Sequence, residues 1–196
     1  MSWPVPSLLT QEAIQQVENE TRDWLECAVI GLNLCPFAKG VLAKNQIHFT
    51  VSQATDTETL LIDLERELLQ LTEMGLEVRD TTLLMVPRCL QDFLTFNDFL
   101  MLADRLLSSL RLGGELQIAS FHPDFQFAGT EQDDVTNCTN RAPYPTLHLL
   151  RESSIDRAVQ AFPEAEMIFE DNMKTLETLG FKGWQALGMA RGKIGI

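Results

Sequence analysis

The sequence predicts a single α/β domain: a βαβαβ core with a largely parallel sheet, an N-terminal helix, a long polar loop and C-terminal helices. Three observations lead there. Residues 46–52 alternate apolar and polar side chains, 81–86 and 116–121 are short apolar runs, and the segments between them carry apolar residues at helical spacing. Helix-length connections between strands favour right-handed crossovers, hence the parallel direction. The 196 residues, 45% hydrophobic and 22% charged, suffice for one core, and no repeat or linker divides them.

Taken in order, Ile14, Val17, Trp24, Leu25 and Ala28 form one stripe of an amphipathic helix over 10–31. Ile47, Phe49 and Val51 alternate with His48 and Thr50, which predicts an edge strand with one wet face. Thr55 and Glu58 read as a capping box, and Leu60, Leu64, Leu68 and Leu71 continue the helix toward Gly75. The run 81–86, stopped by Pro87, predicts a strand buried on both faces near the sheet centre. Asp92 caps a helix carrying Phe93, Phe96, Phe99 and Ala103, with Gly113 and Gly114 as its stop, and 116–121 is the third strand. The segment 122–146 has neither period and reads as an ordered polar loop. Ser153 or Ser154 then starts a short helix to Phe162, and Pro163 opens a last helix to Leu179. The domain is expected over 1–180, with 181–196, rich in Gly, Lys and Arg, as a flexible tail.

The charge restricts partners. Fifteen Lys and Arg against 28 Asp and Glu give a formal charge of -13, which repels nucleic-acid backbones and anionic membrane surfaces, so neither is expected as a partner. The N-terminus lacks the basic start and apolar run of a secretory signal, and no stretch approaches the roughly 20 apolar residues that span a bilayer. Cys27, Cys35, Cys89 and Cys138 form no CxxC pair and read as reduced thiols. A cytoplasmic location is the expectation.

Chemistry concentrates where the third strand ends, the place at which open α/β sheets bind ligands. His122, Asp134, Asn140, Arg141, His148, Arg151 and Glu152 fall within or just beyond the loop, so two of three histidines lie there. Imidazole and carboxylate together pass protons or ligate a metal near neutral pH, and a divalent metal is one option although no HExxH motif is present. Arg141 and Arg151 offer bidentate donors for an anionic group, with internal pairing to Asp133, Asp134 or Glu152 as the alternative. Cys35, in Leu34-Cys35-Pro36-Phe37, is a candidate nucleophile if folding brings a histidine to it, and otherwise a small buried hydrophobe.

The segments LCPFAK, FNDFL, FHPDFQFAGT and TNRAPYPTLHLLRE together resemble a family of bacterial and plastid proteins, domain-of-unknown-function family fourteen-fifteen. The likeness runs from the first helix to the last, and the family pattern tends to carry Ser where this chain has Ala142. The resemblance implies that Cys35, Pro36, Asn97, Asp98, His122, Pro123, Asp134, Asn140, Arg141, His148, Arg151 and Glu152 sit in family motifs, and it brings no activity, substrate or cofactor. Together with the residues it leads to one expectation: a small-molecule hydrolase or transferase for an anionic substrate. His122, His148, Cys35, Asp134 and Glu152 would be catalytic, and Arg141, Arg151, Asn140 and Asn97 would bind substrate. The alternative is a noncatalytic protein-binding or assembly module presenting Phe125, Phe127 and Tyr144.

Overall fold

The computed structural model describes residues 7–161, 167–188 and 191–192. Helix α1 (Gln11–Trp24), capped by the Thr10 hydroxyl, runs directly into a π-helical turn over Leu25–Ile30. Gly31 closes that turn; a Cβ there would lie 2.2 Å from the Cys27 carbonyl oxygen, so the wide turn needs a residue without a side chain. A short helix α2 (Ala38–Ala43), absent from the sequence expectation, follows the Cys35 turn. Then come β1 (Ile47–Val51), α3 (Thr57–Glu73), β2 (Thr81–Met85), α4 (Phe93–Ser109) and β3 (Leu116–Phe121). The cap of α3 is Asp56, whose carboxylate accepts from Thr59 N–H, rather than Thr55; Asp92 caps α4 as expected.

The sheet is mixed, not largely parallel. Its strand order is β1-β2-β4-β3, where β4 (Thr146–Arg151) lies within a segment that the sequence left without a strand. Strands β1 and β2 pair in parallel, whereas β4 pairs antiparallel with both β2 and β3. The reason is the loop: 122–145 turns the chain back at the end of β3, so β4 returns beside it and enters between β2 and β3. The three expected strands do share one direction, but the second and third are not neighbours.

Alternation along the strands sends side chains to two faces. One face, with Leu84, Leu147, Leu149 and Leu116, is closed by Leu60, Leu64 and Leu68 of α3 and Phe96, Phe99 and Ala103 of α4. The other, with Phe49, Leu83 and Met85, meets Trp24, Leu25 and Val29 and the last helices. Helix α5 (Glu152–Ala161) starts straight from β4, and α6 (Ile168–Ala186) crosses a kink at Gly180, where φ is 66°. The first stretch thus stops at Gly180, as the expected end at Leu179 requires, but residues 181–186 of the expected tail form a second helical stretch beyond the kink. Arg191 and Gly192 are held in turn, by Asp124 and by the Pro143 carbonyl. Phe162 and Pro163, and positions 189–190 and 193–196, lie outside the described residues.

Candidate functional site

On the second face a cavity of about 360 Å³ separates the sheet from the π turn, α2 and α5. Its walls are mostly apolar, among them Trp24, Val29, Phe37, Leu83, Phe121 and Ile155. Leu25 and Val29 of the π turn form part of one wall. Two residues singled out in the sequence, Cys35 and His148, line this same space. Cys35 is half-buried in the turn after the π segment, and Asn172 of α6 fixes that turn by donating to the Leu34 carbonyl at 2.9 Å.

His148 stands mid-sheet between Leu83 and Ala119. Its Nε2 lies 2.7 Å from Thr81 Oγ1, and the Thr81 hydroxyl donates to the Leu149 carbonyl at 2.6 Å. A hydroxyl has one hydrogen, and that bond uses it, so Oγ1 accepts from Nε2–H. The chain Leu149, Thr81, His148 therefore fixes the tautomer and leaves the Nδ1 lone pair unprotonated. Among the described residues, Arg151 Nε is the enclosed side-chain nitrogen without a partner; His148 Nδ1 is not enclosed in that way, so it opens to the cavity that His148 lines. Burial lowers the imidazole pKa to about 4, which keeps the ring neutral at pH 7. Asp80 and Ser154, hydrogen-bonded to each other, supply the remaining polar groups of the wall.

His122 is placed otherwise. It is fully buried against Phe93 and Phe96 on the α4 side, with Nε2–H donating to the Leu90 carbonyl at 3.1 Å and Nδ1 accepting from Asp124 N–H at 3.0 Å. Both nitrogens are occupied, and burial lowers its pKa, so it stays neutral as a structural ring. Asp134 caps a 3-10 helix over Val135–Asn140, its carboxyl held below the usual range by the Thr136 hydroxyl and N–H. Asn140 donates to the Ser120 carbonyl. Arg151 donates to the carbonyls of Leu71, Met74 and Arg79, and so ties the end of α3 to the sheet.

The expected single site over 122–152 is not assembled. Arg151 pairs with Leu116 at the start of β3, and Glu152 follows it, whereas His122 lies beyond the strand's other end; the six strand residues separate them by roughly 20 Å. Asn97 is exposed on α4. Arg141 lines a different pocket, described below. Among the described residues no group of three or more His, Cys, Asp or Glu is arranged to hold a metal ion. Cys89 and Cys138 are buried, and burial pushes the Cys89 thiol up to about 11, whereas Cys27 is exposed. No sequence signal points to Thr81, which orients His148: the two are 67 positions apart and meet only through the pairing of β2 with β4.

One family model, described as a protein of unknown function (DUF1415), matches residues 16–186. The chain belongs to this family. No curated protein and no solved structure matches the chain. The match spans both the Cys35 turn and β4, so the DUF1415 region contains the whole His148 cavity wall named above. No helix among the described residues is long and apolar enough to cross a membrane.

Proposed function

We propose that this DUF1415 protein is a small-molecule enzyme of the hydrolytic or group-transfer class, working in the His148 cavity. The observation that carries the reading is the tautomer lock: Thr81 holds Nε2–H, and the bare Nδ1 faces an apolar space that also contains the Cys35 thiol. A pocket of a few hundred Å³ with few, convergent polar groups is the usual form of a small-molecule site. In the proposed step Cys35 Sγ attacks an electrophilic carbonyl of the substrate, Nδ1 takes the thiol proton, and the same proton then passes to the leaving group as its bond breaks. The low proton affinity of the empty site is offset in that step, because the negative charge formed beside the ring favours imidazolium. Water or a second substrate would then release the acyl group from sulfur.

Arg141 and Arg151 do not line this cavity, so the substrate proposed for it has an apolar body and one reactive polar group rather than a strong anion. The alternative of a module presenting aromatics is less well supported. Tyr144 is buried and donates to Glu20, and Phe125 packs against Phe93 and Phe127.

A short-chain ester, p-nitrophenyl butyrate, tests the reading. We expect butyrylation of Cys35, read by peptide mass spectrometry, with release of p-nitrophenolate. Cys35→Ser should lose the adduct, and His148→Asn should slow its formation by roughly 10²-fold or more, the usual worth of a positioned base. Folded variants with unchanged acylation would sink the proposal.

A further inference from the structure

Across Trp24 from the His148 cavity lies a second pocket of about 400 Å³. Trp24 lines both. Its other walls include Phe181 and Trp184 of α6 and Pro143, and its charged groups are Arg141, Arg191 and Asp124.

Arg141 is the unusual member. Its Nε donates to the Phe125 carbonyl at 3.1 Å and its Nη2 to the Gln132 carbonyl at 2.7 Å, which fixes the plane of the guanidinium. It also adjoins the buried Cys138 thiol, and its Cζ lies 5.9 Å from the centre of the Phe181 ring. Carbonyls, a thiol and an aromatic ring are all uncharged. Among the described residues no carboxylate comes within ion-pair distance of Arg141, although the chain carries 28 acidic residues against 15 basic ones. Arg66, Arg79 and Arg191 do pair with carboxylates, Arg79 with Glu67 and Arg191 with Asp124, whereas Arg151 bonds to carbonyls but lines neither pocket. Asp134 acts on it through space without a direct ion pair, and a rigid guanidinium left without a contacting carboxylate in an aromatic-walled pocket is the arrangement that recognises a planar anion.

Arg191 adds a second, conditional charge. Its Nη1 meets Asp124 Oδ2 at 2.6 Å, with both side chains about two-fifths exposed, and its Nη2 donates to the Gln91 carbonyl. Such a half-exposed pair is weak enough for an incoming carboxylate to replace. Asp124 then acts as an internal counter-ion, and its charge disfavours a dianion more than a monoanion.

We infer that this pocket binds a small monoanionic carboxylate with a planar apolar body, held by Arg141 and walled by Trp24, Phe181 and Trp184. The site is separate from the His148 cavity, and its ligand need not be the substrate proposed there.

Calorimetric titration of the full chain with benzoate, and with neutral benzamide as the isostere, tests this. Benzoate should bind saturably, and benzamide at least about tenfold more weakly, because a hydrogen bond to a charged group is lost. Arg141→Met should weaken benzoate by a similar factor. Asp124→Asn, which frees Arg191 and keeps the backbone N–H that serves His122, should strengthen it by up to about fivefold. This opposite sign separates binding from a general loss of structure in the Arg141 variant. No saturable benzoate binding, equal binding of benzamide, or unchanged or weaker binding in Asp124→Asn overturns the inference. None of these results bears on Cys35 acylation, so the two proposals fail independently.

Discussion

A histidine lies on each side of the sheet, His148 within β4 and His122 just past the end of β3, and the two sides treat them oppositely. On the α3 and α4 side His122 is enclosed, both ring nitrogens are satisfied, and Phe93 and Phe96 pack against the ring. On the other side His148 has one nitrogen fixed through Thr81 and the other facing a cavity. Both rings are neutral, and in both burial is the main cause. What differs is unused hydrogen-bonding capacity. A buried imidazole with two partners stabilises the fold and has nothing left for a ligand, whereas one with a single partner leaves a lone pair for chemistry. Two histidines of equal standing in the sequence thus acquire different roles from the packing on either side of one sheet.

The largest expected effects come from the closed face. Phe96→Ala should cost about 4 kcal/mol in a denaturant titration, since that space is filled on all sides; Leu83→Ala, whose side chain borders an existing cavity, should cost about 2 kcal/mol. Similar losses for the two would erase the contrast. His122→Ala should follow at about 3 kcal/mol, because it strands the Leu90 carbonyl and the Asp124 N–H. His148→Ala should cost nearer 1 kcal/mol, because Thr81 keeps its bond to Leu149.

Acid sharpens the comparison further. The His148 pKa falls from 6.5 to about 4 on folding, so between those values the unfolded chain binds the extra proton. Its contribution is therefore complete above pH 6.5 and is lost as the pH falls toward 4, a change of order 2–3 kcal/mol. His48 and His122 shift in the same direction and steepen the same slope. Stability measured against pH in His148→Asn should show the slope reduced but not abolished; an unaltered slope would mean that His148 is not desolvated.

Much of this architecture was legible in the chain. The leucines of α3, the phenylalanines of α4 and the alternation of β1 report local periodicity, and each element formed where that periodicity placed it. Strand β4 was hidden because Pro143 and Pro145 mark a loop, while the six residues that follow give too short a run to separate from helix. Missing it had two costs. The sheet was read as parallel, and His148 was grouped with His122 by sequence nearness although they face opposite sides. Cys35 reads in the sequence as a thiol that folding could bring to a distant histidine, but which histidine shares its cavity depends on strand order, and strand order is set by the path of a loop without periodicity. Trp24 was read as core, and it is core; its second role as the wall between two pockets needs the packing of α6 against the π turn.

The smallest expected effect is also the most discriminating, because it changes sign between the faces. Ala103 of α4 is buried in the filled cluster, and Ala103→Leu should destabilise by about 1–3 kcal/mol through overpacking. Ala119 lies directly opposite His148 in the strand pairing and borders the cavity, so Ala119→Leu extends a side chain into empty space and should leave stability unchanged or raise it by about 1 kcal/mol. The same substitution should suppress acylation of Cys35 by p-nitrophenyl butyrate, because the added atoms occupy the volume a substrate would need. Thermal denaturation and the acylation assay on one protein sample then report packing and site together. A cavity kept open for a ligand predicts a more stable and less reactive protein, whereas a cavity without function predicts the gain in stability alone.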